Sequence, residues 1–386
     1  MHMADALLAP GVAGVMYACS AVAAGRSVRK LNQQPDDKAV PVMGVRGAFV
    51  FAAQMINFTI PGTGSSGHLC GGMLLAAIVG PYAAFLTMIG VLLIQCLLFA
   101  DGGLMALGAN IWNMAFYGCF VGGLIWRAFT RKGLNRAKII AASLIGCILS
   151  LQLGAFSVSV ETLASGITAL PFGAFLLAMQ PIHLAIGAVE GCITAAVLAF
   201  LYEARPSLLW QGGVAAGEKQ RLTLRGTLGV LAGAAVVVAG GLSLLASAFP
   251  DGLEWSLQRL TGNTELETTG PVQAFFARIQ EWTALLPDYN FAGSDAAAGT
   301  SAAGIIGAVV VLAVVILGVK LVKKTADYLI QKKYYWLLPR LIWQSGCKYL
   351  GYRFGKKYRI LPRRVILRCT SNKNYWKEKK SEIITK

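Results

Sequence analysis

GAFLLAMQPIHLAIGAVEGCITAAVLAFLY, residues 173–202, is a thirty-residue run whose only histidine and only acid are His183 and Glu190. About 20 apolar residues suffice to cross a bilayer as a helix. Such a run is too long and too apolar for a core helix of a soluble domain. His183 and Glu190 are seven residues apart and therefore share a helix face. Ionisable side chains at that depth are costly and tend to be functional. Two readings stay open for the pair: a second metal position or pathway, or a packed pair bonded to neighbouring helices.

Similar runs flank this one on both sides. They cover about 8–25, 44–60, 69–83, 85–100, 107–126, 139–156, 226–248 and 303–322, with a Gly80-Pro81 break between the two shorter ones. The whole chain of 386 residues is 56% hydrophobic and only 14% charged, whereas soluble domains carry about 25% charge. Disorder is excluded and a soluble enzyme disfavoured. The fold class is an all-α integral membrane protein of about seven helices followed by a two-helix module.

The net charge of +17 is unevenly placed. Residues 320–386 hold 19 Lys/Arg and three acids; residues 1–319 are nearly neutral. Three loops (26–46, 127–138 and 205–225) hold 14 basic residues, while the opposite segments hold only Arg259 and Arg278 with ten acids. The positive-inside rule puts the basic loops in the cytoplasm and the N-terminus outside, on the same side as His68. No basic residue precedes the first apolar run, so the N-terminus does not read as a signal peptide and Met1 is expected to persist. The eight cysteines form no CxxC pair and read as helix filler.

The chain has three histidines: His2, His68 and His183. A His in second position beside a free α-amine is a chelate. The Met1 amine, the His2 amide nitrogen and a His2 ring nitrogen bind one metal through fused rings once the amide proton leaves. His68, in the Gly/Ser loop PGTGSSGH, is a candidate for the fourth position of a square plane. Tetragonal nitrogen sites suit Ni(II) or Cu(II), and Co(II) can sit in the same frame. On the residues alone the alternative stays open that His2 is simply the second residue and His68 a loop histidine. Calcium and magnesium are disfavoured for want of a carboxylate cluster, and zinc for want of Cys/His ligand spacing.

Four blocks carry a family likeness: MHMADALLAP at the start, NFTIPGTGSSGHLCGG at 57–72, LIQCLLFADGGLMALGANIWNMAF at 93–116 and HLAIGAVEGCITAAVLAFL at 183–201. They closely resemble the CbiM/NikM family, the substrate-binding membrane components of energy-coupling factor (ECF) importers for cobalt and nickel. The resemblance implies a square-planar nitrogen site of Met1, His2 and His68, with Asn57 and Ser66 as candidates to orient the ligands. It implies a transported Co2+ or Ni2+ rather than a resident cofactor. It also implies a coupling permease and separate ATPase subunits as partners, and a prokaryotic cell-membrane location. Residues 44–72 lean toward cobalt and cobalamin synthesis, with nickel as the alternative. Met3-Ala4-Asp5-Ala6 departs from the family's usual continuation, without touching the chelating atoms.

FPDGLEW at 249–255 resembles the PDGLE-type CbiN/NikN component. Asp251 and Glu254 read first as turn and helix-start residues, and second as attractors of cations. The expected organisation is a metal-binding domain over 1–203, a linker over 204–221, a two-span module over 222–326 with an outer loop over 249–302, and a basic aromatic tail over 327–386. The tail suits anionic lipid better than nucleic acid. The chain has no GxxxxGK[ST] motif, so ATP hydrolysis falls to other subunits. The rivals are a stand-alone secondary transporter using His183 and Glu190, and a non-transporting scaffold working through the tail.

Overall fold

The apolar runs become helices, and the Gly/Pro punctuation falls where the helices break. The computed structural model describes residues 1–33, 39–210, 222–267, 270–291, 293 and 297–331. The helices are α1 (Pro10–Asn32), α2 (Ala39–Gln54), α3 (Gly72–Val79) and α4 (Pro81–Phe99). Next, α5 (Leu107–Asn110) continues through a π-helical stretch (Ile111–Val121) into α6 (Gly122–Thr130). Then follow α7 (Arg136–Ser165), α8 (Phe172–Ala204), α9 (Leu224–Gly240), α10 (Gly252–Thr261), α11 (Pro271–Thr283) and α12 (Ala297–Gln331). Five helical stretches are long and apolar enough to cross a membrane: Pro10–Leu31, Pro81–Phe99, Arg136–Ser165, Phe172–Ala204 and Ala298–Gly318. The protein is thus mostly helical and multi-pass. Gly80, at φ +80°, makes the expected turn between α3 and α4.

Three expected spans are shorter in the structure. The run at 69–83 is helical only over Gly72–Val79, and that at 226–248 only up to Gly240. The run at 44–60 is not a single helix: α2 stops at Gln54 and residues 58–60 are a strand. Phe58–Ile60 pairs antiparallel with Ser65–Gly67, in the register Phe58↔Gly67, Thr59↔Ser66 and Ile60↔Ser65. Gly62 and Gly64, both at positive φ, make the reversal possible. This hairpin delivers His68 to the protein interior.

Helix packing follows membrane logic. Ile145, Leu149, Leu153, Phe156, Val160 and Leu163 of α7 are exposed and form one apolar stripe. On the buried side, glycines let backbones approach closely. A Cβ on Gly187 would lie 3.0 Å from the Ile148 Cα, and one on Gly191 would lie 2.8 Å from the Leu144 Cα. These two positions fix α8 against α7. The site lies within the compact unit Met1–Leu321; a second unit begins at Val322. Of the expected linker over 204–221, residues 211–221 fall outside the described residues, as do residues 332–386 of the expected lipid-facing tail over 327–386; residues 327–331 continue α12.

Candidate metal centre

The first eight residues are not a solvated end. Met1, Met3, Leu7 and Leu8 are all buried. Asn110, where α5 passes into the π-helical stretch, clamps Met3 with both ends of its amide. Its Oδ1 accepts the Met3 N–H at 2.7 Å and its Nδ2 donates to the Met3 carbonyl at 3.1 Å. The Gly103 N–H donates to the same carbonyl at 2.9 Å. Asp5 Oδ1 accepts the Ala106 N–H at 2.8 Å, and there is no room at Gly103 for any side chain, since a Cβ would lie 1.9 Å from that oxygen. π-Helical turns recur at functional sites, and here the turn presents Asn110 and Asn113 to the terminal segment. Asn113 Nδ2 donates to Glu161 Oε2 at 2.8 Å and lies 3.8 Å from the Met3 sulfur.

This clamp brings Met1 and His2 to the hairpin. The Met1 amine lies 3.3 Å from His68 Nε2. The rings of His2 and His68 stack with centroids 5.3 Å apart and planes 18° from parallel. Two nitrogens each about 2.0–2.1 Å from one metal at right angles would be roughly 2.9 Å apart, close to the amine–imidazole separation seen. His68 Nδ1 lies 3.2 Å from the Leu69 carbonyl, so the ring donates there and turns the Nε2 lone pair toward the amine. Burial, with the Met1 amine and His2 nearby, lowers the His68 pKa to about 4. The imidazole is neutral and ready to ligate at pH 7.

The Met1 amine and the His2 ring meet carboxylates and an amide. The Met1 amine forms a short ion pair with Asp251. His2 Nδ1 lies 2.9 Å from Asp101 Oδ1, and its Nε2 lies 3.3 Å from Gln95 Oε1. Tyr289 donates to the other Asp101 oxygen. Burial alone would lower the amine's pKa, but Asp251, with Asp101 and Glu254 behind it, raises it. Burial likewise opposes ionisation of Asp101, yet His2 and the Tyr289 hydroxyl hold its carboxyl down at about 2. A chain of amides then crosses the site. Gln95 Nε2 donates to Gln54 Oε1 at 3.2 Å, and Gln54 Nε2 to the Cys70 carbonyl at 2.9 Å. Hydrogen bonds therefore link the His2 side to the loop that follows His68.

The structure thus brings Met1, His2 and His68 together. It does not bring Asn57 or Ser66 to them. The Asn57 carbonyl accepts the Ser247 N–H at 2.8 Å. The Ser66 hydroxyl donates to the Phe249 carbonyl at 2.7 Å, and its N–H donates to the Pro250 carbonyl at 2.8 Å. Both residues fasten the PDGLE segment to the hairpin instead of orienting a ligand. Cys70 Sγ lies 3.4 Å from the Met114 carbonyl and packs in the core. His183 and Glu190 do not pair with each other. His183 Nδ1 lies 2.8 Å from the Met179 carbonyl, while Glu190 binds the backbone of Cys70 and Gly71.

The sequence left Asp101, Gln95, Asn110 and Tyr289 unassigned, and it read Asp251 mainly as a turn residue. Asp251 does both jobs. Its Oδ1 accepts the N–H groups of Leu253 and Glu254 at 2.7 and 3.0 Å, and Glu254 returns a bond to the Asp251 N–H at 2.9 Å, a capping box. Its Oδ2 is then free for the amine. Among the described residues no three His, Cys, Asp or Glu side chains gather as a metal cluster. The nitrogen set instead draws on the chain's own terminus.

These features define a polytopic membrane protein whose terminal amine and two histidines converge behind carboxylates. The family model described as "Cobalt uptake substrate-specific transmembrane region" (CbiM) matches residues 2–208, and the PDGLE domain model matches residues 225–324. The chain belongs to the CbiM family and carries a PDGLE domain behind the CbiM region. A relative in Archaeoglobus fulgidus named as a fused NikMN protein is 37% identical over 304 residues, covering 78% of this chain and 92% of its own. The "Fused nickel transport protein NikMN" of Rhodobacter capsulatus is 32% identical over 313 residues, 75% of this chain and 88% of that one. The "Cobalt transport protein CbiM" of Geobacter sulfurreducens is 31% identical over 221 residues, 55% of this chain and 63% of that one. The protein is a membrane component of cobalt/nickel transport, and the names of its relatives fit a transporter and no enzyme.

Proposed function

We propose that this chain is the substrate-specific component of an ECF importer that captures Ni2+ or Co2+ on the outer side through the Met1 amine, the His2 amide and ring, and His68 Nε2. The observation that supports this reading most is the 3.3 Å approach of the Met1 amine to His68 Nε2. Two donors 67 residues apart in sequence meet in a buried place. As the ion binds, the amine and the His2 amide each lose a proton, and Asp251 gives up the amine. A square-planar nitrogen set then holds the ion without a thiolate or a carboxylate.

In this reading the chain has seven spans in the metal-binding domain (1–203) and two in the PDGLE module (222–326), with the N-terminus outside. A partner permease and separate ATPase subunits supply the movement and the energy. Relatives that share the fused arrangement carry nickel in their names, whereas residues 44–72 lean toward cobalt for cobalamin synthesis. The test uses the full chain with its native N-terminus, titrated with Ni2+ and Co2+ in turn. A second preparation has the Met1 α-amine acetylated. That removes one nitrogen and the fused ring it closes, so binding should weaken by roughly 1,000-fold or more, given apparent energies of about 10–16 kcal/mol for tight protein metal sites. Unchanged affinity would overturn the site assignment. Metal uptake by vesicles holding this chain alone would favour a secondary transporter instead.

A further inference from the structure

Glu190 sits midway along α8 and is 2% exposed. A carboxylate at that depth is costly unless it is fully hydrogen-bonded. It finds its partners neither on its own helix nor at His183. Its Oε2 accepts the Cys70 N–H at 3.0 Å, and its Oε1 accepts the Gly71 N–H at 2.9 Å. These two amides lie between the strand ending at Gly67 and the helix starting at Gly72, where no ladder or helix bond satisfies them. Glu190 therefore acts as a cap supplied from another helix.

The segment it grips is the one that carries His68. Gly71 stands at φ +79°, and a Cβ there would lie 2.4 Å from Val50 Cγ1. The Cys70 carbonyl is held from the opposite side by Gln54. With both faces of the Cys70–Gly71 peptide region bonded, the chain two residues earlier has little freedom. Leu69 is buried, and its carbonyl orients the His68 ring. A continuous path thus runs from Glu190 through the Cys70 and Gly71 amides to the direction of His68 Nε2.

We propose that Glu190 is the positioning residue for the His68 ligand: a carboxylate buried in α8 that fixes the loop so that Nε2 reaches the metal. The inference rests on the reading of His68 as the fourth nitrogen. It gives Glu190 no direct contact with the ion.

The experiment compares the purified full chain with the H68A, E190Q, E190A and H68A/E190Q variants. Each is titrated with Ni2+, and the coordinating nitrogens are counted from Cu2+ electron paramagnetic resonance. H68A should bind through three nitrogens. Loss of an outer partner of a metal ligand costs about 10–100-fold in affinity. E190A should fall in that range and shift toward the three-nitrogen spectrum. E190Q keeps the shape and one acceptor oxygen, and should lose about 10-fold. In H68A/E190Q the second change should add less than about twofold, because both act on one ligand. E190Q with native affinity and a four-nitrogen spectrum would overturn the proposal, even if E190A does not fold. Full additivity with H68A would overturn it as well. H68A that keeps four nitrogens would overturn the site reading and this proposal together, whereas an altered H68A beside an unaltered E190Q overturns this proposal alone.

Discussion

Two groups of contacts converge on Met1 and His2, and they do opposite things. One comes from the start of the π-helical region and the loop before it: Asn110 and the Gly103 N–H hold the Met3 backbone, and the Ala106 N–H holds the Asp5 carboxylate. The other comes largely from the PDGLE segment: Asp251 sits on the Met1 amine, and Tyr289 steadies the Asp101 that faces His2 Nδ1. The first group leaves the donor atoms alone and sets where they are. The second group occupies the donor atoms that a metal needs. Backbone clamps raise metal affinity by preorganisation, whereas carboxylates on an ammonium stabilise the metal-free form. In the proposed reading, the PDGLE module competes with the metal for the Met1 amine through Asp251, while the first domain presents the candidate ligands.

The sharpest way to break this contrast is to remove one member of each group. Asn110→Ala deletes two hydrogen bonds to Met3, one of them at 2.7 Å, and leaves a buried N–H and carbonyl short of partners. The Gly103 bond to the Met3 carbonyl remains. Nickel affinity should fall by about 30-fold, within the usual range for outer partners of a ligand, with the four-nitrogen spectrum kept at saturation. Asp251→Asn should act with the opposite sign. It removes the charge that raises the amine's pKa, so burial then lowers it. At pH 7 less proton competes with the metal, and equilibrium affinity should rise by about 10-fold. The same change costs little at the helix start, because Asn is also a good N-cap. If both variants weakened binding equally, Asp251 would be a holding contact like Asn110 and the contrast would fail.

The difference between the groups also explains what the sequence could disclose. Membrane class, most spans and the break at Gly80 are written in apolar runs and Gly/Pro punctuation. Met1, His2 and His68 are legible as candidate ligands because only a few chemical groups can chelate in that way, and the structure shows that the three approach one another. Asn110 and Gln95 are not legible. An amide in an apolar helix carries no sign of which distant backbone it meets. The hairpin was hidden because Phe58, Thr59 and Ile60 prolong the apolar character of α2, and a short strand cannot be told from a helix end by composition. Asn57 and Ser66 were assigned by nearness in sequence to His68. Their observed bonds go to the backbone of residues 247–250, partners distant in sequence that nearness to His68 does not reveal. Glu190 is legible as an intramembrane acid bonded to a neighbouring element, which the structure bears out, but not as one that does not pair with His183. The true partners are backbone amides, which leave no mark in a sequence.

The smallest expected effect concerns the metal-free protein and its pH dependence. His68 has its pKa lowered to about 4 by burial, so the unfolded chain binds the proton more readily than the folded one. Its contribution is fully present above about pH 6.5 and is lost as the pH falls toward 4. A shift of this size is worth at most about 3 kcal/mol, and each kcal/mol moves the melting temperature of a chain this large by about 2–4 °C. Asp101, held at about 2, adds its own loss only below about pH 3.8. The Met1 amine has the reverse sign: its pKa is raised, so its contribution is present at neutral pH and lost as the pH climbs through the raised value. Apparent melting temperature in detergent should therefore decline from pH 6.5 to 4 in the wild type, and decline less in His68→Ala over the same window. An identical slope in both proteins would mean that the imidazole is not held neutral by its burial beside the amine, and the ready-to-ligate state of His68 would have to be abandoned.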